Sequence, residues 1–207
     1  AVRIPVTVKM RAGWDDKTIN APELARRVEE TGAAAVAIHG RTAAQSYSGS
    51  ADWNLVARVA RSVDIPVFGS GDCVEPEEVV ARLNAGVSGV LVGRGVLRNP
   101  WILAQAADLA AGRPRREVTL EDRGRFLLEY LDLLLANRDD EPEGFRHVAP
   151  SPEPRVPSSE IARGHERWVI NKLRALGSWY TKGLENGSHL RVAINAAESI
   201  AERPCAA

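Results

Sequence analysis

Residues Ile65–Gly95 read IPVFGSGDCVEPEEVVARLNAGVSGVLVGRG. Two short apolar runs, Ile65 to Phe68 and Gly89 to Val92, each end in glycines, and one helical stretch separates them. Pro76 is placed to open that helix and Gly86 to end it. Strand, Gly-rich turn, helix and strand in that order make a unit of parallel sheet. The question for function is what two Gly-rich strand ends, one unit apart, would hold.

Working outward, the same unit recurs from residue 1 to about 112. Val6–Met10 predicts a first strand, followed by a helix with Asn20 at its cap, Pro22 in its first turn and Gly32 at its close. Ala35–His39 predicts a second strand, and a helix is expected from about Asn54 to Ser62 with Asp52 as its cap. After the fourth strand, Asn99-Pro100 starts a helix expected to run to Gly112. Nearly continuous apolar strands alternating with helices predict a parallel sheet covered on both faces. The strand spacing is the pace of a (β/α) barrel, with a doubly wound sheet as the alternative. Four units are half of an eight-stranded barrel, so the expected class is α/β, the C-terminal half of a (β/α)8 TIM barrel followed by a small all-helical domain.

That second domain is expected over 113–207. Thr119 with Asp122 resembles a capping box, and Phe126, Leu127, Tyr130, Leu131 and Leu134 share one side of the helix it opens. A Pro-, Ser- and acid-rich loop is expected at 139–159, a long helix from near Ser159, and a further helix after Asn186-Gly187.

The chain has 207 residues, 27 Lys+Arg against 27 Asp+Glu, and 44% apolar residues, an ordinary globular composition. Balanced charge argues against a protein that coats nucleic acid generically. The only cysteines, Cys73 and Cys205, predict a reducing compartment, with neither a disulfide framework nor a zinc site. No apolar run reaches membrane-spanning length and no signal peptide is visible, so a cytoplasmic location is expected, with no membrane partner and no metal.

Sites on α/β folds lie at the carboxyl ends of strands. Those ends carry Lys9 and Arg11, then His39 and Arg41, then Gly69-Ser70-Gly71-Asp72, then Gly93-Arg94-Gly95. Glycines let backbone N–H groups approach an anion, and Arg94 adds a forked cation. The stretch is either a phosphate grip or a pair of tight turns. Asp72 opposes a bare phosphate, which predicts that it caps the helix or bonds a ribose-like hydroxyl. Lys9 either reaches solvent or is a cation in the barrel mouth, suited to the negative N1–C2 edge of a reduced flavin. His39 is either a satisfied buried histidine or a cofactor contact.

These stretches resemble the tRNA-dihydrouridine synthases, closest to the bacterial branch, over nearly the whole chain. PVTVKMRAGWDD resembles the family's fifth strand with its flavin-contacting lysine, here Lys9. HGRTAAQSYSGSADW resembles the sixth strand and its long loop, with His39 and Arg41 on the family's His and Arg. PVFGSGD resembles the seventh strand, GVLVGRGVLRNPWI the eighth, and WYTKGLENG a segment of the helical domain. The resemblance implies an FMN-containing barrel that reduces uridines of tRNA to 5,6-dihydrouridine with NADPH. It implies cofactor contacts at Lys9, His39, Ser70, Gly71, Asp72, Gly93 and Arg94. Ser70 stands where the family has Asn, which removes the amide's reach from one contact. The family's catalytic cysteine lies upstream of PVTVK, and neither Cys73 nor Cys205 matches it. The 207 residues are therefore expected to be the C-terminal portion of a longer enzyme, with no catalytic residue of their own and little or no synthase activity alone.

For RNA, the helix from Glu160 to Lys182 has Ile161, Trp168, Val169, Leu173, Leu176, Trp179 and Tyr180 on one side, and Arg163, Arg167, Arg174 and Lys182 on the other. From Glu160 to Asn195, six Lys/Arg face three Asp/Glu. The basic side is either a solvated face or a stripe for tRNA phosphates. Arg41, Gln45 and Tyr47, in the long loop, are expected to face the RNA or the uridine. Two other classes of function stay open at this point: another FMN- or phosphate-binding barrel oxidoreductase, and a non-catalytic tRNA-binding remnant.

Overall fold

Alternation along four short strands sets the architecture. In the computed structural model, which describes residues 2–136 and 158–200, these are β1 (Thr7–Arg11), β2 (Ala35–His39), β3 (Val67–Ser70) and β4 (Gly89–Leu91). All pair in parallel, in the order β1-β2-β3-β4. One face carries Val8, Met10, Val36, Ile38, Val67 and Val90, which pack with the helices into the main core. Those helices are α1 (Ala21–Glu30), α2 (Trp53–Ala60), α3 (Pro76–Leu83) and α5 (Ile102–Ala110), which contribute Ala21, Ala25, Trp53, Val56, Val59, Val79, Ile102 and Ala106.

The opposite face departs from the expectation of a sheet covered on both sides. Lys9, Arg11, Ala37, His39, Phe68, Ser70, Gly89 and Leu91 line it, all half-buried or exposed. Polar residues alternate there with apolar ones beneath, so only the second set drives helix packing. Strands that follow one another without reversal, with the core helices against one face, form the wall of a barrel. A doubly wound sheet reverses its strand order and sends helices to both faces. The α/β class and its half-barrel form are thus those read from the sequence.

Local signals explain most helix ends. Asp52 Oδ1 accepts from Leu55 N–H at 2.9 Å and caps α2. Glu78 accepts from Val74 and Glu75 N–H groups at 2.7 and 2.9 Å and fastens the start of α3 behind Pro76. Asn20 precedes α1 as expected, but it supplies its carbonyl, to Leu24 N–H, while its side chain makes no capping bond. Gly32 and Gly86 lie at φ +84° and +86°, the left-handed backbone that ends a helix. A one-turn helix, α4 (Gly95–Arg98), was not expected, and α5 begins only at Ile102.

The chain divides into two compact units, 1–116 and 117–207. The first extends past Gly112 because the Asp108 carboxylate binds both Arg113 (2.8 Å) and Arg116 (2.6 Å), while Gln105 Nε2 donates to Arg116 O. The second contains α6 (Leu120–Ala136), α7 (Ser158–Tyr180) and α8 (Gly187–Ala196). Asp122 N–H donates to Thr119 Oγ1 and Thr119 N–H to Asp122 Oδ2, a reciprocal cap at the start of α6. Leu131, Leu134 and Val169 form its core with Tyr130, Trp168 and Leu173 around them. Tyr180 is buried, stacks on Phe126 and donates its hydroxyl to Arg123 O at 2.9 Å. Burial pushes its pKa up to about 12. Most of the expected Pro-rich loop, 139–157, lies outside the described residues, as does Cys205. No helix among the described residues is long and apolar enough to cross a membrane.

Candidate functional site

The strand register aligns polar residues at the carboxyl end of the uncovered face. Arg11 lies opposite His39, His39 opposite Ser70, and Ser70 opposite Leu91. Lys9 lies one rung below, beside Ala37, which in turn neighbours Phe68. Small Ala37 leaves the lysine room over the sheet. Arg11 Nη1 donates to Thr42 O and Ser46 O, which holds the loop after β2 over the end of β1.

His39 sits among cations. Burial, then the charges of Arg11, Arg41 and Lys9, hold its pKa below the usual 6.5, with Asp72 pulling the other way. The ring is therefore neutral at neutral pH, and its buried Nδ1 has no hydrogen-bond partner. Burial of Asp72 pushes its pKa up, but the Ala51 N–H, the Arg41 hydrogen bond and charge, and the charge of Arg94 outweigh this and hold it below 3.8. Both shifts act in one direction. The unfolded chain takes up each proton more readily, so the stability they contribute is present at high pH and lost on acidification. The urea midpoint is expected to fall in two stages, from about pH 6.5 downward for His39 and below about pH 4 for Asp72. His39→Gln removes the first stage only, and a wild-type profile flat between pH 7 and 5 would contradict this assignment.

Beyond β3, a network of side chains shapes the turn. Arg41, 3% exposed, donates from Nη2 to both Asp72 oxygens (2.7 and 2.9 Å) and to Gly49 O (2.7 Å), and from Nε to Ser48 O (3.0 Å). Ala51 N–H donates to Asp72 Oδ2 at 2.6 Å. Trp53 Nε1 donates to Gly71 O at 2.9 Å. Gly71 and Asp72 lie at φ +127° and +52°. The next residue, Cys73, presses its carbonyl against Gly95, where an added Cβ would stand 2.2 Å from that oxygen. The two Gly-rich turns are thus in direct contact. Above Gly93, by contrast, an added Cβ would meet nothing within 4 Å. The Arg94 guanidinium lies 4.6 Å from the centre of the Tyr47 ring.

Lys9, His39 and Ser70 thus share the open face, and Gly71, Asp72, Gly93 and Arg94 belong to the two adjoining turns. Asp72 does not cap α3. That position belongs to Glu75 and Glu78, and the Asp72 carboxylate is committed to Arg41 and Ala51. Arg41 does not face outward from its loop as expected but is buried beneath it, because its guanidinium satisfies carbonyls the loop would otherwise leave unpaired. On α7, Arg167 is exposed, while Arg174 is half-buried and donates to Ala197 O at 2.9 Å. Lys182, just beyond α7, is exposed and rests over the Trp179 ring. The Arg163 side chain lies outside the described residues. Sequence reasoning took Asp52 as the cap of α2, but the Trp53 bond to Gly71 O was missed, and the sole signal was a tryptophan one residue after that Asp. Among the described residues, no three His, Cys, Asp or Glu side chains are placed to share a metal ion.

The fold and site define a barrel-wall α/β protein whose polar groups converge at the carboxyl ends of its strands. The family model "Dihydrouridine synthase (Dus)" matches residues 1–154, and the chain belongs to the dihydrouridine synthase family. It is 36% identical over 197 residues to a probable tRNA-dihydrouridine synthase of Rickettsia bellii, covering 94% of this chain and 52% of that protein. It is 33% identical over 214 residues to one of Mycobacterium leprae, covering 98% and 47%. It is 36% identical over 172 residues to tRNA-dihydrouridine synthase B of Pseudomonas putida, covering 82% and 47%. The chain spans about half the length of the curated relatives it matches. A nitroalkane oxidase structure from Streptomyces ansochromogenes overlaps with a TM-score of 0.33 at 25% identity, over 60% of this chain and 49% of that one, too slight an overlap to define a fold.

A flat cofactor bearing a phosphate fits the residues present. The buried His39 Nδ1 lacks an acceptor or donor, Lys9 is a cation on an open face, and the space above Gly93 is free of side chains.

Proposed function

We propose that this chain serves the FMN-dependent reduction of uridine to 5,6-dihydrouridine in tRNA, with NADPH as the reductant, in the cytoplasm. The observation that carries this reading is the family membership together with His39 and Ser70 side by side on the uncovered face and Lys9 one rung below them. When bound, FMN supplies the hydride chemistry. Lys9 would offer its ammonium to the negative edge of the flavin ring. Neutral His39 offers Nδ1 as a hydrogen-bonding group without adding charge. Ser70 offers one hydroxyl, and Gly71, Gly93 and Arg94 offer amides and a guanidinium to the phosphate. The uracil must leave its stack to reach such a ring.

Reduction of the uracil double bond also needs a proton donor, and Cys73 does not suit that role. Its thiol is buried and donates toward Gly71 O at 3.6 Å, and burial pushes its pKa up to about 11. On the helical unit, exposed Arg167 and Lys182 are offered to RNA phosphates, while Arg174 braces the end of α8.

The test is flavin binding by the full chain, read from quenching of FMN fluorescence. Lys9→Ala is expected to weaken FMN about tenfold, the loss of one charge-assisted contact. A wild-type chain that binds no FMN, or a variant with unchanged affinity, would remove this reading.

A further inference from the structure

Arg41 is too buried to be a surface contact, yet it ties the loop after β2 to the turn after β3. Its Nε and Nη2 reach three separate points: Ser48 O, Gly49 O and the Asp72 carboxylate. Asp72 occupies left-handed backbone at φ +52°, next to Gly71 at φ +127°. An L residue rarely adopts that conformation unless its surroundings impose it. Here the Arg41 ion pair and the Ala51 N–H impose it.

The geometry then passes on in two directions. Through Cys73, whose carbonyl abuts Gly95, it sets the position of the turn after β4. Through Ser48 and Gly49 it fixes the loop that carries Tyr47, the ring over which Arg94 lies. Arg41 therefore sits behind all the groups that face a phosphate in the reading above, and contributes to them by placement.

We propose that Arg41 and Asp72 are positioning residues for a phosphate monoester pocket formed by the turns after β3 and β4, so that their ion pair sets the preference for a phosphorylated flavin over its dephosphorylated form. This rests on the flavin reading of the site. Arg41→Lys keeps the charge but has a single nitrogen where the arginine uses two. Asp72→Asn keeps the shape and an acceptor for Ala51 but loses the ion pair.

The experiment measures FMN and riboflavin binding to the full chain and to each variant, with amide hydrogen exchange of segments 45–51, 70–74 and 93–96. Each variant is expected to weaken FMN about tenfold while riboflavin changes less than about twofold, with faster exchange in 70–74 and in 93–96. A residue that merely supports the fold would weaken both flavins alike, and that result overturns the proposal. So does unchanged exchange at 93–96. If the wild-type chain binds neither flavin, the flavin reading falls, and the positioning role is judged by exchange alone. Should Arg41→Lys fail to fold, Asp72→Asn carries the same comparison.

Discussion

Trp53→Ala is expected to cost about 3–5 kcal/mol of stability in the sheet unit, close to the limit for a single buried side chain. The indole opens α2 and is 6% exposed. It packs so closely over β3 that a Cβ on Gly69 would lie 2.5 Å from its ring, and Arg82 stacks on it at 5.1 Å. Truncation therefore removes transfer free energy, leaves a cavity between sheet and helix, and leaves Gly71 O at the turn with only the weak Cys73 thiol as donor. Trp53→Phe separates these effects. It keeps most of the ring volume and loses only the hydrogen bond, at about 1–2 kcal/mol. Urea unfolding followed by circular dichroism would distinguish the two. A loss below about 1 kcal/mol for the alanine variant would show that the indole does not hold this turn.

The second large effect separates two glycines of one tripeptide, Gly93-Arg94-Gly95. Gly95→Ala is expected to destabilise by about 1–3 kcal/mol or more, since its Cβ would fall 2.2 Å from Cys73 O and 3.0 Å from Val92 Cγ1. The first of these neighbours is backbone, which cannot swing aside. One of the two turns must move, which also predicts weaker FMN binding. Gly93→Ala meets no atom within 4 Å and has no positive φ. Its stability is expected to stay within about 0.5 kcal/mol, or to rise slightly as the unfolded chain loses freedom. Its methyl group would nevertheless occupy the space offered to a ligand, so affinity falls while stability holds. Equal destabilisation by both substitutions would refute the packing of the two turns as described.

Much of this architecture was legible because punctuation and periodicity agree. Asp52, Pro76, Gly32, Gly86 and the Thr119–Asp122 pair each act within a turn of their own position, so the sequence carries them directly. Strand β2 appears over the residues its apolar run marks. Strand β3 slid forward from Ile65–Phe68 to Val67–Ser70, because its pairing with His39 and Leu91 extends the ladder through Gly69 and Ser70. The same long-range pairing placed Lys9, His39 and Ser70 on one face. What the sequence could not disclose was commitment. Arg41, Asp72 and Arg174 look like free charges in a string of letters. Their partners, Ser48, Gly49, Ala51 and Ala197, act mostly through backbone groups, which are invisible to residue type. The one-turn α4 was also hidden, since four residues carry no period.

The uncovered face of the sheet has a consequence for how the chain behaves in company. Lys9 and Arg11 stand together on that face. Two chains meeting there would bring like charges together in a drying interface. The cations that suit this wall to a negatively charged ring thus also act as gatekeepers against self-assembly. Neutralising them would be expected to appear first as turbidity and only afterwards as a loss of binding.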